Sequence, residues 1–173
     1  MYEDVKCLLS EEDKQVLLNL SEECRVLEGD YLEIGCYEGG STLHICHNMP
    51  QDKKLHVFDF YYREYFEDNI IKHHIKDKII FYQGDFTETY NDLPPDDRFA
   101  FIFVDNNHSY DNTRIPMERL WPRLNAGGYM LFHDYGHINY PGVKDYLDSL
   151  PEQKDREPIG KMGCSFGFKK KHL

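Results

Sequence analysis

The stretch DYLEIGCYEGGSTL, from Asp30 to Leu43, constrains this chain more than any other. Strand-forming residues from Tyr31 to Gly35 run without a break into a turn that holds Gly35, Gly39 and Gly40. Ser41 and Thr42 then stand where a helix continuing through Leu43 and Ile45 takes its cap. Glycine is wanted where a backbone turns sharply or lets a ligand lie against it, and a helix start offers unpaired N–H groups to an anion. Such a turn is either a plain connection or a ligand cradle. Its spacing is E-x-G-x-x-x-G, because Cys36, Tyr37 and Glu38 separate Gly35 from Gly39, and this is not the dinucleotide pattern G-x-G-x-x-G. With Glu33 two residues ahead of the first glycine, a pyrophosphate meets a negative carboxylate, whereas a ligand with an ammonium group and neutral hydroxyls finds a partner.

The remaining chain repeats the alternation. Val16, Leu17, Leu20 and Cys24 recur at helical spacing between about Ser10 and Leu27, with Ser10 and Asp13 as the cap signal. This helix is expected to pack beside the sheet, over its ligand end. Lys54 to Phe60 predicts a strand ending on Asp59, Tyr61 to Ile75 a helix, and Ile79 to Gln83 a third strand closed by Gly84 and Asp85. Asn91 to Arg98 is a proline-bearing loop. Phe99 to Val104 is almost wholly apolar, the pattern of a parallel strand buried on both faces, and Asp105 ends it. A helix from about Asp111 to Leu124, a turn at Asn125 to Gly128, a strand from Tyr129 to Phe132 and a short helix from Pro141 to Leu150 follow. Pro158 to Lys169, with three glycines, predicts a terminal hairpin. The expected architecture is therefore α/β: a Rossmann-like, doubly wound, mostly parallel seven-stranded sheet with a C-terminal antiparallel hairpin.

At 173 residues and 40% hydrophobic content the chain suffices for one core, so residues 1–173 are expected to form one domain, with the helical segment 1–28 packed on it. A formal charge of -11 argues against nucleic acid or anionic membrane as partners. The run Lys169 to Lys171 is expected to be a solvated tail. No stretch approaches the roughly 20 apolar residues that span a bilayer, and the acidic start MYEDVKCLLSEED does not resemble a secretion signal, so a cytoplasmic location is expected. Five scattered cysteines without a C-x-x-C pair point to reduced thiols, and His44, Cys46 and His47 face different ways on the first sheet helix.

Each strand before the hairpin finishes on or beside an acid: Glu33, Asp59, Asp85, Asp105 and Asp134. Doubly wound sheets collect such ends along one crevice. Asp59 is placed to accept from ribose hydroxyls and Asp85 from an adenine amino group, with Phe60, Tyr61 or Phe86 covering the ring. Asp105, His133 and Asp134 can converge on a divalent metal. Carboxylates suit Mg or Mn, and the imidazole tilts the choice toward Mn, Fe, Co or Zn. The bland alternative is that the two acids bind loop amides while His133 packs. His108 is the candidate general base and Asp105 its catalytic neighbour.

Taken together, EIGCYEGGST, DNNHSY, GGYMLFHDY and PGV resemble the ordered motifs of class I S-adenosylmethionine-dependent methyltransferases, and more narrowly of the small-molecule O-methyltransferases of the methyltransferase 24 type. The similarity runs from about Asp30 to Leu150. It implies that Glu33, Gly35 and Gly39 surround the methionine part of S-adenosyl-L-methionine, that Tyr37, Ser41 and Asp105 border the same cofactor, and that Asp59, Phe60, Asp85 and Phe86 hold the adenosine. Metal-dependent relatives bind their ion through acids matching Asp105 and Asp134. Relatives often carry Glu where this chain has His133, and Asn106-Asn107 stand where the motif has Gly-Asp. The expected reaction is O-methylation of a small hydroxylated molecule, a sugar or phenol, with Tyr61, Tyr62, Tyr65, Tyr110, Tyr135 and Tyr140 as a candidate aromatic mouth. A non-catalytic cofactor-binding protein and a metal-dependent enzyme of other chemistry are the alternatives, and a homo-oligomer stays open.

Overall fold

The structure, a computed structural model, describes residues 1–172. Among the described residues six α-helices, one more than expected, alternate with seven strands: α1 (Glu11–Glu23), β1 (Asp30–Ile34), α2 (Gly40–His47), β2 (Leu55–Asp59), α3 (Glu64–Lys72), β3 (Ile79–Gln83), α4 (Phe86–Thr89), β4 (Phe99–Val104), α5 (Tyr110–Leu120), β5 (Leu124–Phe132), α6 (Pro141–Ser149), β6 (Arg156–Met162) and β7 (Ser165–Lys170). The strands form one sheet in the order β3-β2-β1-β4-β5-β7-β6. The first five are parallel, and β7 joins β5 antiparallel and pairs with β6.

Pleat alternation sends successive side chains to opposite faces. Tyr31, Val57, Phe101, Phe103 and Leu131 pack on one face with Leu17, Leu20, Ile45, Phe66 and Ile70, so α1, α2 and α3 cover it. Leu32, Phe58, Ile102, Met130 and Phe132 pack on the other with Met117, Leu120, Val143 and Leu147, from α5 and α6. Every residue of β4 is buried, as its apolar run requires. Among the described residues no helix is long and apolar enough to cross a membrane.

Five local expectations are corrected. Gly39, at φ +92°, is the N-cap of α2, and Ser41 and Thr42 lie within the first turn instead of capping it. Residues 125–128, expected as a turn, continue β5: the register slips between Phe99 and Phe101, and a Cβ on Gly128 would lie 2.5 Å from the Ala100 carbonyl oxygen. The glycines there serve a bulge and a close strand approach. The helix expected from Tyr61 starts only at Glu64, which leaves residues 60–63 as wall beside the strand ends. The short helix α4, capped by Asp85 through the Thr87 N–H at 2.8 Å, was not anticipated. Lys169 and Lys170, expected in a solvated tail, instead end β7, where Lys170 Nζ donates to the Trp121 carbonyl at 2.8 Å. Ser10 caps α1 as expected, accepting from the Asp13 N–H at 3.1 Å.

Candidate functional site

Strand register builds the site. Phe58, Ile34, Val104 and Phe132 stand in one row across β2, β1, β4 and β5. The ladder runs one residue further, with Gly35 donating to the Phe58 carbonyl (2.7 Å), Asp105 to Ile34 (2.8 Å) and His133 to Val104 (3.0 Å). Asp59, Gly35, Asp105 and His133 therefore sit side by side at the carboxyl rim. The pleat gives them the parity of Val57, Glu33, Phe103 and Leu131, which is the face of α1 and α2. Gly35 is obligatory in this row, because a Cβ there would lie 2.0 Å from the Asp105 carbonyl oxygen and its φ is +86°.

Two cavities open along the rim. The larger, about 370 Å³, lies under the N-terminal segment, with Cys7 and Leu9 on one wall, Tyr37, Gly40 and Ser41 on a second, and His108, His133, Asp134 and Tyr140 on a third. The smaller, about 200 Å³, lies between Phe58, Phe60, Asp85, Phe86 and Asn112. Gly35, Asp59, Arg63 and Asp105 border both. Glu33 and Gly39 line neither; they stand behind the wall.

Glu33 is fully buried. Its Oε2 accepts from the Thr42 hydroxyl at 2.5 Å, while Oε1 has no hydrogen-bond partner among the described residues. Burial, outweighing the Ser41 and Thr42 hydroxyls and joined by the charges of Asp105 and Asp59, pushes its carboxyl up to about 8. Asp59 accepts five donors: the Cys36 and Tyr37 N–H groups at 3.0 and 3.1 Å and the Cys36 thiol at 3.6 Å on Oδ2, and the Tyr61 N–H and Arg63 guanidinium at 3.1 and 3.0 Å on Oδ1. These occupy all of a carboxylate's lone pairs, so the acid expected to meet a ribose here also ties down the glycine turn.

The third wall is a four-member donor group. Asp105, His108, His133 and Asp134 each offer one ligand atom, all within 4.8 Å of one another. His108 Nε2 lies 2.9 Å from Asp105 and 3.1 Å from Asp134, and His133 Nδ1 lies 3.2 and 3.6 Å from the same carboxylates. Burial opposes charge on both His133 and Asp105, yet their mutual contact prevails. The His133 imidazole is pushed up to about 10, with Asp13 and Asp134 adding to the effect, and the Asp105 carboxyl, also facing His108, is held below the usual range. His108 and Asp134 have positive φ, 62° and 57°, a conformation that costs non-glycine residues energy and clusters at functional sites. Asn106 and Asn107 brace the loop presenting His108. The Asn106 amide donates to the Asn112 carbonyl at 2.8 Å, and Asn107 Oδ1 accepts from the Asn112 amide at 2.7 Å. On the outer side Tyr140 stacks on His108 with ring centroids 4.5 Å apart.

Thus Gly35, Tyr37, Ser41, Asp59, Asp105, His108, His133 and Asp134 come together at the larger cavity, and Phe60, Asp85 and Phe86 at the smaller. His108, expected as a general base, lies within the metal-capable group, which was expected to hold only Asp105, His133 and Asp134. Arg63 and the segment from Lys6 to Leu9 were missed. Arg63 carried a faint signal, a cation four residues after Asp59; residues 6–9 carried none. His44 is turned away from any such group, its Nδ1 pairing with the Gly40 carbonyl at 2.7 Å.

Comparison with known proteins identifies the family and the fold. Residues 32–135 match the family model described as "Methyltransferase domain". No curated protein matches the chain by sequence. Among solved structures, the O-methyltransferase NovP superposes with a TM-score of 0.82 at 19% identity, over 96% of this chain and 82% of its own. An O-methyltransferase from Bacillus cereus solved with SAH gives 0.77 at 14% identity, over 94% and 82% of the two chains. TomG from Streptomyces achromogenes, solved with SAM, gives 0.76 at 16%, over 95% and 82%. The chain belongs to the methyltransferase-domain family and carries the fold of these O-methyltransferases.

Proposed function

We propose that this protein methylates a hydroxyl oxygen of a small molecule, with S-adenosylmethionine as donor. The observation that carries the reading is the pair of cavities meeting at Gly35, Asp59 and Asp105: the smaller walled by Phe58, Phe60 and Phe86, the larger ending on the donor group. Phe58, Phe60 and Phe86 form an apolar slot for the adenine, with Asp85 at its edge. Asp59 takes the ribose hydroxyls by exchanging Arg63, whose side chain is half-buried, for them. The start of α2, with Ser41, faces the amino-acid end of the cofactor. The sulfonium supplies an already activated methyl group, so the protein's task is to align the acceptor oxygen, exclude water and take a proton.

His108 and Asp105 perform that last task. With no ion in the group, His108 Nε2 can hold the proton released by the hydroxyl, and the Asp105 and Asp134 carboxylates balance the charge. The donor group also fits a divalent ion: two carboxylates and two imidazoles converge within ligand-to-ligand distance, and Asp105, His108, His133 and Asp134 would hold it. A bound ion there would supply Lewis acidity toward the acceptor hydroxyl. A non-catalytic role is disfavoured because Asn106 and Asn107, where the motif has Gly-Asp, keep the His108 loop in place. The acceptor is expected to be small and not strongly anionic, given the acidic wall and the net charge of -11.

The deciding experiment is calorimetry of the full chain with S-adenosylhomocysteine, with NAD as control. Saturable one-to-one binding of the former alone supports the reading; no heat from S-adenosylhomocysteine overturns it.

A further inference from the structure

Asp13 has a role that capping of α1 does not explain. Only 1% of the residue is exposed, and its carboxylate turns inward, away from solvent. Oδ1 accepts from the Cys164 N–H at 2.9 Å and the Ser165 hydroxyl at 3.1 Å, both in the terminal hairpin. Oδ2 accepts from the Ser10 hydroxyl at 2.5 Å and faces His133 Nε2 at 3.6 Å. The hairpin tip is shaped around this acid: a Cβ on Gly163 would lie 2.6 Å from Asp13 Oδ1. His133 Nε2 is itself buried and lacks a hydrogen-bond partner among the described residues, while the opposite ring nitrogen, Nδ1, points at Asp105 and Asp134.

Both ring nitrogens of His133 face a carboxylate, Nδ1 that of Asp105 at 3.2 Å and Nε2 that of Asp13 at 3.6 Å, so each position favours a proton; an ion held by the group would displace the one on Nδ1 and leave the one on Nε2 facing Asp13. Such outer carboxylates orient metal-binding histidines generally. We propose that Asp13 is a positioning residue that keeps the His133 N–H at Nε2 and its Nδ1 lone pair turned into the Asp105, His108 and Asp134 group, making that group selective for imidazole-accepting ions such as Mn²⁺ or Co²⁺ over Mg²⁺. This deepens the reading above and rests on it for the location of the ion. Two imidazoles among four donors suit the later first-row ions, whereas Mg²⁺ prefers oxygen ligands and retains its waters.

The test is titration of the chelator-treated full chain with CoCl₂, MnCl₂ and MgCl₂, followed by calorimetry and by the visible absorption of Co²⁺. Co²⁺ and Mn²⁺ should bind at least about tenfold more tightly than Mg²⁺. Asp13→Asn should weaken Co²⁺ by roughly 10–100-fold and change its spectrum, and should add nothing in a His133→Ala background. A merely structural Asp13 would lower affinity equally in both backgrounds, and that result overturns the proposal, as does Mg²⁺ binding as tightly as Co²⁺ or no saturable Co²⁺ binding at millimolar concentration. Should Asp13→Asn fail to fold, His133→Asp carries the selectivity part: its preference must move toward Mg²⁺, and an unmoved preference overturns the claim. S-adenosylhomocysteine binding on the same wild-type sample reports separately on methyl transfer.

Discussion

Two residues at the rim have effects that can be measured singly. Gly35 combines a left-handed backbone with a carbonyl 2.0 Å from where a Cβ would stand, so Gly35→Ala must displace β1 from the β4 exit. It should cost roughly 2–4 kcal/mol in denaturant unfolding and remove S-adenosylhomocysteine binding, because the displaced backbone borders both cavities. Arg63 is predicted to act in the opposite sense. Its guanidinium, on a side chain 31% exposed, pairs with Asp59 Oδ1, where a ribose hydroxyl must go. The pair is part-buried, with the Asp59 side chain only 10% exposed, so Arg63→Ala, which strips Asp59 of one donor, should cost about 1–3 kcal/mol in denaturant unfolding and tighten cofactor binding by a few-fold in calorimetry. Weaker binding in that variant would mean that Arg63 contacts the cofactor directly.

At the scale of elements, the N-terminal segment bears on the site more than its sequence announced. Lys6 donates to the Tyr37 hydroxyl at 2.8 Å, and Cys7 packs so closely on Gly40 that a Cβ on that glycine would lie 2.5 Å from the Cys7 Cβ. Residues 6–9 thus roof the larger cavity. A ligand filling it should shield Cys7, so saturating S-adenosylhomocysteine is expected to slow alkylation of Cys7 by about tenfold or more, while exposed Cys164 reacts at an unchanged rate. Site-resolved mass spectrometry after an iodoacetamide pulse checks this. The β4 strand shows the reverse relation, since its role was legible throughout. Phe99 to Val104 read as doubly buried from its lack of polar residues, and Phe103 is fully buried. Phe103→Ala should cost about 3–5 kcal/mol in the same unfolding assay.

For the whole molecule, Glu33 links the site to stability. Its carboxyl is raised from an ordinary 4.5 to about 8, so between these values the folded state holds a proton that the unfolded state has released. Folding stability contributed by this group therefore falls as pH rises from about 4.5 to about 8 and is flat outside that window. Melting temperature measured from pH 5 to 8 should decline more steeply for the wild type than for Glu33→Gln, whose amide cannot ionise. Equal slopes would show that a neighbouring group compensates the buried carboxylate.

The alternation of strands and helices, the glycine turn and the acids at strand ends were all legible in the chain, because each is a short-range pattern of polarity or of residues with special backbone freedom. These sufficed to place Gly35, Asp59, Asp85 and Asp105 at one rim. Only the tertiary structure decided that His108 joins Asp105, His133 and Asp134, that residues 6–9 cover the cavity, and that Asp13 faces His133 while holding the hairpin. Those contacts join segments that only sheet pairing brings together: Asp13 and Cys164 lie 151 residues apart. The parity of each side chain follows from register, a property of two strands at once that no single window of sequence contains.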